Sequence, residues 1–479
     1  MGEGLIQKRV DVQGLATAIL LPSIDLLDES GRLPLRRVGP LTQVVGIGLF
    51  QRTVLTLQRA GIRQLIVLVG AEEDQLKQAL SKGPRLTIPV RWMPIREFPL
   101  DDPRTWESLA AEAGGFCLVS GVRGVFSRQL IEHLRQEVQE VQDGQAILVA
   151  RASTERDQQE RRLGLRVATQ AERLLSLGSS RQDDATLMAT DVVVLPASFI
   201  NAASQAGIES GTVPLRRWLE RAAEDGRVRV LSTESNPSYW YQDLRDHADV
   251  QLAERKLFSS LKGEFEGFVD RYFNRKLSRW FTRGFLACGF SPNAVTLVAT
   301  GIGLISAACF GLGSYQAGVI AAVLFQLSAV IDCCDGEVAR LTFTESPFGA
   351  WLDIALDNVV HMAIFVGIAA GSYLRVMGHD GAWLPLALGA AAVLGNAVSF
   401  TLVSKAQKIK TASEWKTPVH AAWSDFMLKN VASRDFSVVV LLFAVLDKLD
   451  WFLWMAAGGS MVFVCVMLWV LRPSAVSRA

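Results

Sequence analysis

The chain has 479 residues, half of them hydrophobic, with six cysteines and a formal net charge of +1. Its length allows two or three domains. The near-neutral balance, with no basic stripe interleaved with aromatics, argues against a nucleic-acid binder. The scattered cysteines (117, 288, 309, 333, 334 and 465) fit neither a disulfide framework nor a zinc site. They are expected to be reduced, buried small hydrophobes.

From the N-terminus, "MGEGLIQKRVDVQG" lacks the basic and apolar regions of a signal peptide, so the first part is expected in the cytoplasm. Five short β-rich runs follow in order: "TAILLP", "QLIVLVG", "FCLVSG", "AILVAR" and "DVVVLP". Amphipathic stretches such as "FQRTVLTLQRAG" and "SRQLIEHLRQEVQEV" lie between several of them. The alternation predicts a Rossmann-like α/β domain over residues 1–248 with a largely parallel sheet. Residues 249–286 read as an amphipathic helical linker. There Arg271, Arg275, Lys276, Arg279 and Arg283 gather beside Tyr272, Phe273, Trp280 and Phe281, a composition suited to the headgroup layer of a membrane.

Residues 287–479 turn into long apolar blocks, read as an all-α bundle of six spans near 292–312, 315–337, 348–374, 383–404, 430–447 and 451–471. The fifth is the weakest, because its apolar stretch "FSVVVLLFAVL" is short. Basic residues collect before the first span, around Arg340, in the 405–434 loop and after the last span. The positive-inside rule then places both termini and that loop in the cytoplasm.

Charged residues inside such blocks are costly, about 2.5–3.5 kcal/mol each on insertion scales, and so point to a site. Asp332 and Asp335 are spaced i, i+3 at the end of the second span; Asp353 and Asp357 are spaced i, i+4 at the start of the third. Each pair shares a helix face. "VARLTFTESPFG" between them reads as a cytoplasmic turn, so the helices run antiparallel and all four carboxylates converge. Together they need a counter-charge, and an all-oxygen donor set favours Mg²⁺ or Mn²⁺ over zinc. His361, one turn beyond Asp357, reads as a packed group. Gly336, Ala339 and Gly349 leave room on the carboxylate side, and Arg340 adds a fork suited to phosphate. Metal, arginine and open backbone together describe a diphosphate site.

These residues spell Asp332-x2-Asp335-Gly336-x2-Ala339-Arg340-x8-Gly349-x3-Asp353-x3-Asp357, which resembles the complete signature of the CDP-alcohol phosphotransferases. "SPNAVTL" at 291–297 opens the first span as such enzymes commonly do. The resemblance implies an integral-membrane enzyme that moves a substituted phosphate from a CDP-alcohol to an acceptor alcohol and releases CMP. It implies two divalent ions on the first three aspartates, with Asp357 at the metal site and acting as general base. It implies a CDP site over Asp332, Gly336, Ala339, Arg340 and Gly349, an active site at the cytoplasmic face, and admits a homodimer through membrane helices. In the related inositol-phosphate-using synthases, basic residues comparable to Lys405, Lys408 and Arg434 bind the acceptor's phosphate.

The first domain is similar to sugar-phosphate nucleotidyltransferases, in "LPLRRVGP", "TVLTLQRAGIRQLIVLVG", "FCLVSGVRGVFSRQLIEHL" and "YWYQDLRDHADVQLAERKL". It departs from them where chemistry is expected. The starting loop has no glycine cluster, Leu35 stands where a lysine is expected, and Val122 stands where a metal-binding aspartate is expected, leaving Asp243. The expectation is a degenerate domain. The alternatives are a bifunctional enzyme whose first domain makes the CDP-alcohol from CTP, and a non-catalytic membrane scaffold.

Overall fold

A computed structural model of the protein describes residues 14–471 apart from 23, 25, 28–37, 82, 84–85, 142–143, 156, 158–165, 171, 178–186, 206–214, 262–274, 380 and 412–435. The chain divides into two compact units, Met1–Ser260 and Leu261–Ala479.

The first unit is built on nine strands: Thr17–Leu20 (β1), Gln64–Val69 (β2), Val90–Pro94 (β3), Phe116–Ser120 (β4), Ala146–Ala152 (β5), Arg166–Gln170 (β6), Arg173–Leu177 (β7), Leu187–Pro196 (β8) and Val228–Ser232 (β9). Their order in the sheet is β3-β2-β1-β4-β8-β5-β9-β7-β6. All five apolar runs picked out in the sequence are strands, and they are buried because helices cover both faces of the sheet. These helices are Leu49–Arg59 (α1), Glu73–Ser81 (α2), Pro103–Ala113 (α3), Arg128–Glu140 (α4), Ala197–Gln205 (α5), Leu215–Glu224 (α6) and His247–Ser260 (α7).

The largely parallel sheet that was expected is corrected to a mixed one. β3-β2-β1-β4 and β5-β9 are parallel, but β8 runs antiparallel to β4, β5 and β6, and β7 runs antiparallel to β9 and β6. The ten-residue β8 bridges the two halves. Helix α7 packs on the hairpin Gln43–Val44/Ile47–Gly48 and on Tyr241–Asp243, so it belongs to the first unit.

The second unit begins with Arg275–Ala287 (α8), followed by Pro292–Phe310 (α9), Tyr315–Thr342 (α10), Pro347–Val376 (α11), Leu384–Thr411 (α12), Phe436–Val445 (α13) and Leu449–Val470 (α14). Among the described residues, five helices (α9, α10, α11, α12 and α14) are long and apolar enough to cross a membrane, which makes this a multi-pass integral membrane protein. Of the expected fifth span, 430–447, residues 430–435 lie outside the described residues, and its described part forms the ten-residue apolar helix α13. α10 also runs past the expected end at 337: Val338–Thr342 continue the helix and Phe343, in the left-handed region at φ 59°, closes it. Serines cap the starts of these spans. Ser291, Ser314 and Ser346 accept the N–H of Ala294, Ala317 and Gly349, and Pro292 and Pro347 follow as first helical residues. Outward-facing Trp280, Trp383, Trp451 and Trp454 fit a lipid surround. Cys117 and Cys334 are buried as expected, whereas Cys288 and Cys465 are exposed.

Small residues let α9 and α11 meet backbone to backbone. A Cβ on Gly367 would collide with the Ala307 carbonyl oxygen, and one on Gly371 with that of Phe310. This is the small-xxx-small spacing that membrane helices use for close approach. Gly367→Val should therefore cost about 1–3 kcal/mol or more, read as a lower melting temperature in detergent, since the obstructing atom is backbone and cannot swing aside.

Candidate metal and phosphate site

Two helix ends build the site. α10 delivers Asp332 and Asp335 near its C-terminus, and the short turn through Phe343 and Ser346 returns the chain as α11 with Asp353 in its second turn. Each of Asp332, Asp335 and Asp353 offers a carboxylate oxygen within 4.8 Å of the others. Asp332 and Asp335 are buried, 5% and 7% exposed, and Asp353 is half-buried. Two oxygens on opposite sides of a magnesium ion stand about 4.2 Å apart, twice a bond of about 2.1 Å. The carboxylates thus need to close only slightly to share one ion, and the donor set fits a hard divalent cation.

Asp335 is held from two sides. The Thr296 hydroxyl of α9 donates to its Oδ2 at 2.6 Å, and the Gly336 N–H donates to its Oδ1. That fixes the carboxylate and leaves it an acceptor toward a cation. Asp357 is half-buried one turn further along α11 and lies outside the three-acid group.

The glycines are less open than the sequence suggested. At Gly336 the nearest atoms to an added Cβ are the Arg340 guanidinium nitrogens, 3.1 and 3.5 Å away, so the exposed arginine folds back over the glycine. At Gly349 they are Ser346 Oγ at 3.1 Å and Asn293 Oδ1 at 3.2 Å. Ala339, half-buried, lies one residue before Arg340. His361 stands edge-on to Phe325 and Phe436, with centroids 6.0 and 5.3 Å away, as a packed ring. Lys405 is exposed on α12, while the Lys408 side chain and the whole of Arg434 lie outside the described residues. Thr296, Asn293 and Glu337 contribute contacts that the sequence reading assigned to none of them. "SPNAVTL" carried the first two, but nothing in spacing along one helix reveals a partner on another.

In the first unit, Val122 occupies the turn after β4 in the left-handed region at φ 55°, which is strained for a β-branched residue. Around it, Asp191 accepts the Arg123 N–H at 2.7 Å, the Tyr241 hydroxyl at 2.7 Å and the Ser120 hydroxyl at 3.3 Å. Burial raises the Asp191 carboxyl above its usual range despite these donors. Asp243 is buried, and its strand pairs with Gly124. Beside it Asp157 takes a two-pronged bond from Arg151 at 2.7 and 2.9 Å and a third from Arg245 at 3.1 Å. Burial disfavours its charge, but the arginine fork and Thr154 outweigh that and hold Asp157 well below the usual carboxylate range. Leu35 lies outside the described residues.

The sequence pattern of the CDP-alcohol phosphatidyltransferase family matches residues 290–476, a stretch that contains all of α9 to α14. Residues 290–476 are a CDP-alcohol phosphatidyltransferase domain. The chain is thus an enzyme, of the class that transfers substituted phosphate groups. The similarity reaches beyond this domain. A "Bifunctional IPC transferase and DIPP synthase" of Aquifex aeolicus (strain VF5) is 25% identical over 362 residues, 74% of this chain and 77% of the relative. One of the same name from Rubrobacter xylanophilus (strain DSM 9941 / JCM 11954 / NBRC 16129 / PRD-1) is 26% identical over 381 residues, 77% of this chain and 80% of the relative. Both matches are longer than the whole second unit and so extend into the first. A solved structure described as the inositol-1-phosphate CTP transferase from T. maritima covers 52% of this chain and 98% of its own, with a TM-score of 0.37 and 15% identity.

Proposed function

We propose that the CDP-alcohol phosphatidyltransferase domain moves the substituted phosphate of a CDP-alcohol onto an acceptor alcohol and releases CMP, at the cytoplasmic end of α10 and α11. The convergence of Asp332, Asp335 and Asp353 from two antiparallel helices carries this reading. These three residues would hold Mg²⁺ or Mn²⁺, one or two ions, whose chemistry is to neutralise a diphosphate and the departing CMP. Arg340 lies beside Gly336 and Ala339, where its fork can bind the same diphosphate, and Gly349 borders the donor site with Asn293. The acceptor hydroxyl attacks the β-phosphorus, the bond to the CMP oxygen breaks, and the hydroxyl proton passes to Asp357. A carboxylate near cations is a weak base, so the acceptor must be held against it. Lys405, Lys408 and Arg434 are proposed to do so through a phosphate on the acceptor, an inositol phosphate. The donor is of the CDP-diacylglycerol or CDP-inositol type.

The first unit supports a second reading. Relatives named bifunctional match through both units, which favours a nucleotidyltransferase-like first unit that makes the CDP-alcohol over the degenerate domain expected from Val122 and Leu35. One experiment tests both. The full chain in detergent, with Mg²⁺, is supplied either with CDP-alcohols and inositol phosphate or with CTP and inositol phosphate. CMP release in the first arm supports phosphotransfer. Pyrophosphate release in the second supports two activities. CMP release in neither arm sinks the main proposal.

A further inference from the structure

Glu337 is a buried acid that the proposed reaction does not use. It is 1% exposed and lies two residues past Asp335. At 100° per residue it points about 200° away from Asp335 around α10, so it cannot join the carboxylate cluster. Its Oε1 accepts the Ser278 hydroxyl at 2.9 Å and its Oε2 the Thr282 hydroxyl at 2.7 Å. Both partners sit one turn apart on α8 and are completely buried. Cys334, one turn earlier on α10, rests its thiol against the Ser278 carbonyl at 3.5 Å.

The register of α9 explains why α8 is needed there. α9 runs antiparallel to α10, with Ser306 bonded to the Ala321 carbonyl, Ser328 to the Ala299 carbonyl and Thr296 to Asp335. Continuing that register brings Pro292, the first residue of α9, level with Asp335 or Ala339. The last turn of α10, which carries Arg340, therefore runs beyond the start of α9. α8 packs on the same end of α10, with Phe281 and Phe285 on the cluster of Val295, Ile331, Cys334 and Val338. An apolar side chain would supply that packing without the cost of burying a carboxylate. A carboxylate with both oxygens matched to two hydroxyls one turn apart adds what grease cannot, a single register of α8 on α10.

We infer that Glu337 is a positioning residue that locks α8 onto the cytoplasmic end of α10 and thereby fixes Asp335 and Arg340. Its bearing on turnover rests on the phosphotransfer reading. Groups that orient metal ligands from behind commonly change metal affinity by about 10- to 100-fold.

The test uses the full chain in lipid nanodiscs and three readouts: N-ethylmaleimide labelling of Cys334 mapped by mass spectrometry, Mn²⁺ binding followed by electron paramagnetic resonance, and CMP release. Glu337→Ala should label Cys334 about tenfold faster or more, as local opening by about 1.4 kcal/mol would allow. It should also weaken Mn²⁺ binding about tenfold per folded protein. Ser278→Ala/Thr282→Val should reproduce both changes, and Thr282→Val alone should lie between if Glu337→Ala does not fold. Glu337→Gln, which keeps a partner for each hydroxyl, should restore both to within about threefold of the wild type. Protection of Cys334 in all variants overturns the lock. Faster labelling with unchanged Mn²⁺ binding overturns the positioning role and leaves a purely structural one. Both expected responses without CMP release from the wild type would uphold the lock and reject the phosphotransfer reading instead.

Discussion

Asp335→Asn should bind Mn²⁺ at least about tenfold more weakly and release CMP about a thousandfold more slowly, a loss of about 4 kcal/mol of transition-state stabilisation. The substitution is nearly isosteric: the amide oxygen can accept from the Gly336 N–H while the amide NH₂ donates to the Thr296 hydroxyl, so the helix pair should remain folded. What disappears is one negative charge among three carboxylates whose oxygens lie within 4.8 Å of one another. The measurement is Mn²⁺ binding and CMP release on the same preparation, with melting temperature as the control. Unchanged turnover in a folded Asp335→Asn protein would remove the metal cluster from the reaction.

Asp357→Asn should behave differently. Its turnover should fall by about 10²- to 10⁴-fold, the usual worth of a positioned base, while Mn²⁺ binding stays within about twofold. The contrast follows from geometry: the three-acid group consists of Asp332, Asp335 and Asp353, and Asp357 stands one turn beyond it. The sequence reading placed all four acids on the metals. A parallel loss of Mn²⁺ binding and turnover in Asp357→Asn would return Asp357 to the ligand set. A loss of turnover alone assigns it to the acceptor's proton.

Sequence reasoning reached its limit at the distances between these acids. Spacing of i, i+3 and i, i+4 placed each pair on one face, and an intervening turn made the faces meet. It could not say which oxygens come closest, because that depends on the crossing of α10 and α11. For the same reason Thr296, Asn293 and Glu337 were invisible, since each acts on a residue of another helix. Arg340 and Ala339 were assigned to a turn, yet α10 continues through them to Thr342. A run of charged residues at the end of a span reads as loop by hydropathy, whereas here the helix continues to its left-handed cap at Phe343. In the first unit the apolar runs gave the strands but not their direction. β8 is as Val-rich as a parallel strand would be, and only its pairing with β4 and β5 reveals that it runs the other way.

Val122 retains a backbone shape that suits another residue better. At φ 55° a valine carries strain of about 1–3 kcal/mol, while its side chain, 3% exposed, contributes burial that a glycine would forfeit. Val122→Asp would exchange that strain for an acid 3% exposed beside Asp191 and Asp243, a place where a carboxylate needs a cation to be tolerated. Its melting temperature should then climb as Mg²⁺ is added, while that of the wild type does not. The turn would then serve as a mould, reporting through heat alone whether it encloses a hollow for an ion.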